Sequence, residues 1–231
     1  MKPKVFFLFV LICLVSFLFL KFIWDIFYSI DPFFIFLKYT YFPHESNPNV
    51  AIVLTTSVNN DPERLNIYLD RINKYLTFTN LNYYIVESTG YTFPEIKNDR
   101  VKIYSFIGTK TTSSSQMELE SINAIIDHFN LYDRDFVLKI TGKYFVKNIE
   151  FLVNRFMEKE YDFYIQGGLG NHSEIFGSKP EYYKDIQQLT RDKTFEESIP
   201  IITKNKKVKA FPKIKLYDFT PRGDGSILEY L

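Results

Sequence analysis

Asp135 to Val146 reads DFVLKITGKYFV, and the first half of that stretch limits the fold more than any other part of the chain. Phe136, Val137, Leu138 and Ile140 form a continuous apolar run rather than an alternating one, with Lys139 the one charge inside it. A strand of this kind must be covered on both faces, as an interior parallel strand is when helices flank its sheet. Thr141, Gly142, Lys143 and Tyr144 follow at its C-terminal end. In open α/β sheets ligands bind outside the carboxyl ends of the strands, so a hydroxyl, a bare backbone, an ammonium and a phenol would meet there. The plainer reading of the same residues is a glycine turn with a surface lysine.

The rest of the chain from Asn49 alternates strand and helix in the same sense. Val50 to Thr55 (VAIVLT) is a second continuous apolar strand, followed by Asn60 or Asp61 as the cap of a helix that opens at Pro62. Leu65, Tyr68, Leu69, Ile72 and Leu76 fall on one face of that helix. Tyr83 to Val86 and Val101 to Phe106 read as further strands, and Gln116 to Asn130 as a helix with Leu119, Ile122, Ile126 and Phe129 as its buried stripe. Ile149 to Met157 is expected to be helical and Asp162 to Gln166 to be a strand, followed by a helix near Pro180 to Leu189. KNKKVKAFPKIK near the end reads as a basic loop. This order predicts an α/β domain built on a mainly parallel sheet flanked by helices.

Ahead of that domain, Lys2 and Lys4 precede an apolar run from Val5 to Leu20, resumed by Phe22 to Trp24 after Lys21. The run is long enough for a helix to cross a bilayer. A cleaved signal peptide is the rival, but the run exceeds a usual h-region and no small-x-small site follows it. The expectation is a single-pass anchor over residues 1–24, type II with its N-terminus cytoplasmic, then an interfacial stem and linker over 25–49 and a domain over 50–231. With 28 basic and 27 acidic residues, the chain carries no basic excess of the kind that marks a nucleic-acid partner. Cys13, the only cysteine, lies in the anchor run, so neither an intrachain disulfide nor a cysteine-based metal site can form. Asn171-His172-Ser173 is the one glycosylation sequon.

Lys139, Thr141, Gly142, Lys143 and Tyr144 resemble a K-x-T-G-[RK]-Y signature found after an acidic helix in GT-A-like nucleotide-sugar glycosyltransferases, in particular uncharacterised bacterial and viral ones. Upstream, SSSQMELES is similar to their S-x-G-x-x-E segment, with Ser115 in the glycine position and Glu118 as the acid. The resemblance implies a GT-A-like, Rossmann-like fold and a membrane-anchored transferase that moves a sugar from a nucleotide-sugar donor to a glycan or lipid-linked acceptor. It places Thr55, Thr56, Ser57 and Asn59 near the nucleotide, though loop and cap hydrogen bonds would use the same groups. Glu87 would accept from ribose or base, and Arg64 would face a phosphate or simply be solvated. Glu118 would contact donor sugar or acceptor, or serve only as a helix-start charge. Lys139 or Lys143 would offset diphosphate charge, with Thr141, Gly142 and Tyr144 around it.

GT-A enzymes usually carry a D-x-D pair on a divalent cation. Asp133-Arg134-Asp135 has that form but precedes its strand and so belongs at the wrong end. The implied site therefore works without a metal, with manganese or magnesium as the open alternative. Gly167, Gly168 and Gly170 permit close backbone approach, and Glu174 beside His172 is the candidate proton acceptor; the competing reading is that SEIFG begins an edge strand. Asp224, in the turn Arg222 to Ser226, is the other candidate base. A non-catalytic, membrane-tethered binding module on the same fold is the alternative function. A nucleotidyltransferase is disfavoured because VLTTSVNN stands where its glycine-rich loop would be.

Overall fold

The computed structural model describes Ser16 and residues 48–109, 113–166, 173–189 and 193–211. The anchor (Ser16 apart), most of the stem, Gly167, Gly168, Gly170, His172 and Asp224 lie outside the described residues. Among those that are described, no helix is long and apolar enough to cross a membrane.

Strands β1 (Val50–Thr56), β2 (Tyr83–Glu87), β3 (Val101–Ser105), β4 (Phe136–Thr141), β5 (Phe163–Gln166), β6 (Ile175–Ser178) and β7 (Val208–Phe211) form one sheet in the order β3-β2-β1-β4-β6-β5-β7. The β1–β2, β2–β3, β1–β4 and β5–β7 pairs are parallel, and β6 is antiparallel to both its neighbours. The mainly parallel sheet expected from the apolar runs is therefore present, with β6 as the exception. Helices α1 (Pro62–Phe78), α2 (Ser114–Phe129), α3 (Ile149–Phe151, continuing as a π turn over Leu152–Phe156), α4 (Tyr182–Leu189) and α5 (Phe195–Ile202) pack around it.

From β1 the chain passes through α1 to β2 on one side, and from β3 through α2 back to β4 on the other. Right-handed crossovers in opposite directions put α1 and α2 on opposite faces of the sheet. The burial agrees: Ala51, Val53, Val86 and Val137 share a core cluster with Leu119, Ile122 and Ile126 of α2 and with Tyr183 and Ile186 of α4. The pleat turns Ile52 and Leu54 to the α1 face, so β1 is buried on both sides.

Asp61 caps α1, accepting from the Glu63 and Arg64 amides at 2.9 and 3.2 Å. The buried residues of α1 are Tyr68, Arg71, Ile72 and Tyr75, a face rotated from the predicted one. The buried polar groups on that face are hydrogen-bonded. Arg71 Nε donates to Lys143 O at 3.2 Å, and the Tyr75 hydroxyl donates to Tyr144 O at 3.2 Å and accepts from Val146 N at 3.0 Å. Burial pushes the Tyr75 phenol well above its ordinary pKa, so it stays a donor, and α1 clamps the loop after β4.

Two expectations are corrected at the far side of the sheet. The basic loop contains β7: Val208–Phe211 pairs with β5, and Lys209 folds over the Phe156 ring at 4.3 Å while bonding Glu158 Oε1 at 2.6 Å. Alternating lysines hide that strand from a hydrophobicity reading. SEIFG supplies β6, which is not an edge strand but lies between β4 and β5. Gly177 suits that central place, since a Cβ there would come within 3.1 Å of Tyr164 Cβ.

Candidate active site

The strand order reverses at β1, which has β2 on one side and β4 on the other, so the crossover helices part there and leave a crevice outside the carboxyl ends of the strands. A cleft of about 580 Å³ occupies it, a size that suits a small-molecule ligand. Thr55, Thr56 and Ser57 reach it from β1, Ser88 from the end of β2, and Thr141, Lys143 and Tyr144 from β4. Arg64 and Tyr68 border it from α1, and Glu118 from α2. Because β6 runs the other way, Ser173 and Glu174, which lead into it, arrive at the same edge, where Glu196 at the start of α5 also lines the cleft.

Glu118 is the hub. Its Oε1 accepts from Thr55 Oγ1 at 2.8 Å, Thr141 Oγ1 at 3.2 Å and Lys139 Nζ at 2.7 Å. Thr55 and Thr141 are register partners on adjacent parallel strands, which is why one carboxylate oxygen reaches both. Lys139 Nζ also donates to Thr141 Oγ1 at 2.9 Å and to Ser173 O, and the Ser173 hydroxyl donates to Glu196 Oε1. The Lys139 side chain has no exposure at all, whereas that of Glu118 keeps 19%. The buried ammonium thus lies beneath the cleft floor and faces Glu118. It does not face open solvent where a diphosphate would lie, as the sequence alone had suggested.

Gly142 needs a similar correction. It is buried, and its amide donates to Thr55 O at 2.8 Å instead of facing a ligand. Its φ is not left-handed, so glycine is required there for space: an added Cβ would stand 2.7 Å from Thr56 Cγ2 and 2.9 Å from Thr55 O. Tyr144 is only 2% exposed, borders the cleft, and lies under Lys143 Nζ at 5.2 Å.

Glu87 is fully buried and outside the cleft lining. Its Oε1 accepts from Val58 N and Thr89 Oγ1 at 2.8 and 2.6 Å, and its Oε2 from the Thr89 and Tyr91 amides at 2.8 Å each. Those four donors make it the organiser of the loops after β1 and β2. Asn59 N likewise bonds Thr89 Oγ1 at 3.0 Å. Arg64 donates to the Tyr68 hydroxyl at 3.3 Å, which itself accepts from Ser57 N at 3.3 Å, so this exposed arginine is steered to the cleft rim.

Asp133 and Asp135 lie at the N-terminal end of β4, across the sheet from the cleft. Asp135 Oδ2 accepts from Asn49 N at 2.7 Å and from Lys159 Nζ at 2.8 Å, and Asp133 pairs with Arg134 at 3.4 Å. These aspartates therefore do not fit a cation at the crevice. Among the described residues no three His, Cys, Asp or Glu side chains gather as metal ligands.

The sequence reading did not single out Tyr68, Ser88 or Glu196 for the site, and it saw Ser173 only as part of a sequon and as the first residue of SEIFG. Tyr68 looked like core, and Glu196 stands in the first turn of α5, which Thr194 and Glu197 cap. The antiparallel entry of β6 brings Ser173 to Lys139, and Glu196 meets the Ser173 hydroxyl from α5.

No family model matches this chain, and no curated protein matches it. Among solved structures it is similar to the glycosyltransferase GlyE of Streptococcus pneumoniae TIGR4, at 12% identity and a TM-score of 0.49 over 70% of this chain and 45% of that one. A glycosyltransferase involved in the glycosylation of the major capsid of PBCV-1 is similar at 10% identity and a TM-score of 0.46, over 71% and 82% of the two chains. An active-site mutant of LgtC gives 7% identity and a TM-score of 0.44 over 69% and 72%. The chain spans less than half the length of GlyE. Likenesses this distant leave the chemistry of the cleft to be argued from its own residues.

Proposed function

We propose that this chain is a glycosyltransferase that moves a sugar from a nucleotide-sugar donor to a glycan or lipid-linked acceptor, by a route needing no metal ion. The observation that carries the reading is the makeup of the cleft at the β1/β4 switch point. Arg64 and Lys143 supply positive charge, the hydroxyls of Thr56, Ser57 and Ser88 supply neutral donors and acceptors, and Glu174 arrives beside Thr141, whose amide donates to Glu174 O at 2.9 Å. Cationic side chains at that wall suit a diphosphate held by charge and hydrogen bonds. Glu174 takes the proton of the acceptor hydroxyl as it attacks the anomeric carbon, and the nucleoside diphosphate leaves toward Lys143 and Arg64. The apolar run Val5 to Leu20 tethers the domain to a membrane with its N-terminus cytoplasmic, near lipid-linked acceptors.

The test is release of nucleoside diphosphate from a panel of UDP- and GDP-sugars, with and without manganese. Glu174→Gln is expected to lower kcat about a hundredfold or more while donor affinity stays within about twofold. Wild-type turnover in that variant would remove Glu174 from the mechanism. Donor binding without turnover in the wild type would instead leave a tethered binding module.

A further inference from the structure

Resting on the nucleotide-sugar reading, we infer that the outer oxygen of Glu118 accepts a hydrogen bond from a ring hydroxyl of the bound donor, and that Lys139 is the positioning residue that aims it. Among the described residues, the donors to Glu118 all converge on Oε1: an ammonium and two threonine hydroxyls. Among the described residues Oε2 has no protein donor, and it is not one of the buried atoms lacking a partner. The side chain keeps its partial exposure on the cleft wall. A carboxylate pinned through one oxygen and open at the other is an acceptor built for a ligand donor.

The two walls of the cleft decide which part of the ligand this is. Arg64 comes from α1, and Lys143 from the turn that Arg71 of α1 holds. Glu118 and Glu196 come from α2 and α5, which cover the opposite face. A diphosphate is attracted to the first wall and repelled by the second, so the groups left to meet Glu118 are hydroxyls. Vicinal hydroxyls of a pyranose or of the ribose present the same chemistry, and affinities separate them.

The experiment is calorimetric titration of the full chain with UDP, UDP-glucose, GDP and GDP-mannose, for wild type, Glu118→Gln and Glu118→Asp. The first variant replaces a charged acceptor by an amide. The second keeps charge near Lys139 but withdraws the outer oxygen by one methylene, and it serves if melting curves show Glu118→Gln poorly folded. Affinity for the sugar nucleotide that wild type binds is expected to fall about tenfold or more. Retained affinity for the bare nucleotide assigns the hydroxyl to the sugar, and an equal loss in both assigns it to the ribose. Lys139→Met is expected to reproduce the loss and to add little on top of Glu118→Gln, which a merely structural lysine would not do. Folded Glu118 variants that bind every probe like wild type overturn the inference and leave the proposed function standing. A wild type that binds none of the four overturns both.

Discussion

Gly142→Ala is expected to lower the unfolding free energy by about 2–3 kcal/mol, the upper part of the usual cost of overpacking, although it adds a single methyl group. The new Cβ would meet Thr56 Cγ2 at 2.7 Å and the Thr55 carbonyl oxygen at 2.9 Å, and the second of these is backbone in the middle of the sheet. Relief requires β4 to move away from β1, which lengthens the 2.8 Å bond from Gly142 N to Thr55 O. That movement pulls Thr141 off Glu118, so donor affinity is expected to fall along with stability. Urea denaturation measures the first effect. Gly108→Ala is the control, because its Cβ would meet nothing closer than 3.4 Å. Equal midpoints for Gly142→Ala and wild type would mean that the two strands do not approach as closely as described.

Lys139→Met is expected to cost about 3 kcal/mol, the low end for removing one partner of a buried ion pair, because Glu118 retains some solvent. Methionine fills much of the space left by the lysine stem, so the loss is electrostatic and hydrogen-bonding in origin. Glu118 keeps its two threonine donors but loses its counter-charge, and Ser173 O loses a donor. The diagnostic result is the double variant. Lys139→Met with Glu118→Gln is expected to be more stable than Lys139→Met alone by about 1 kcal/mol, since no unpaired charge remains. Additive losses in the denaturation midpoints would show that the two groups are not coupled.

The fold was legible where a continuous apolar run required burial on both faces. Val50 to Thr55 and Phe136 to Thr141 became adjacent interior strands, and Asp61-Pro62 opened a helix where capping chemistry requires one. It was illegible where tertiary contacts override local pattern. Val208–Phe211 follows a run of lysines and contains Lys209, which finds its partner only in the folded chain, and the direction of β6 depends on pairing across the sheet. The site divides in the same way. Strand-end position alone placed Thr55, Ser57, Thr141 and Lys143 at the crevice. It could not tell a polar group that faces a ligand from one that faces a neighbour. Lys139, Gly142 and Glu87 proved to be of the second kind, because their partners come from elsewhere in the chain: Glu118 of α2 and Ser173 for Lys139, Thr55 of β1 for Gly142, and the loops after β1 and β2 for Glu87.

A crystal structure of the chain grown with the nucleoside diphosphate it binds most tightly tests the central claim most directly. The expected result is a ligand in the β1/β4 crevice, its phosphates within hydrogen-bond reach of Arg64 or Lys143 and its nucleoside beside Ser57 and Ser88. A ligand bound at the opposite edge, near Asn49 and Arg134, with the crevice unchanged, would contradict it.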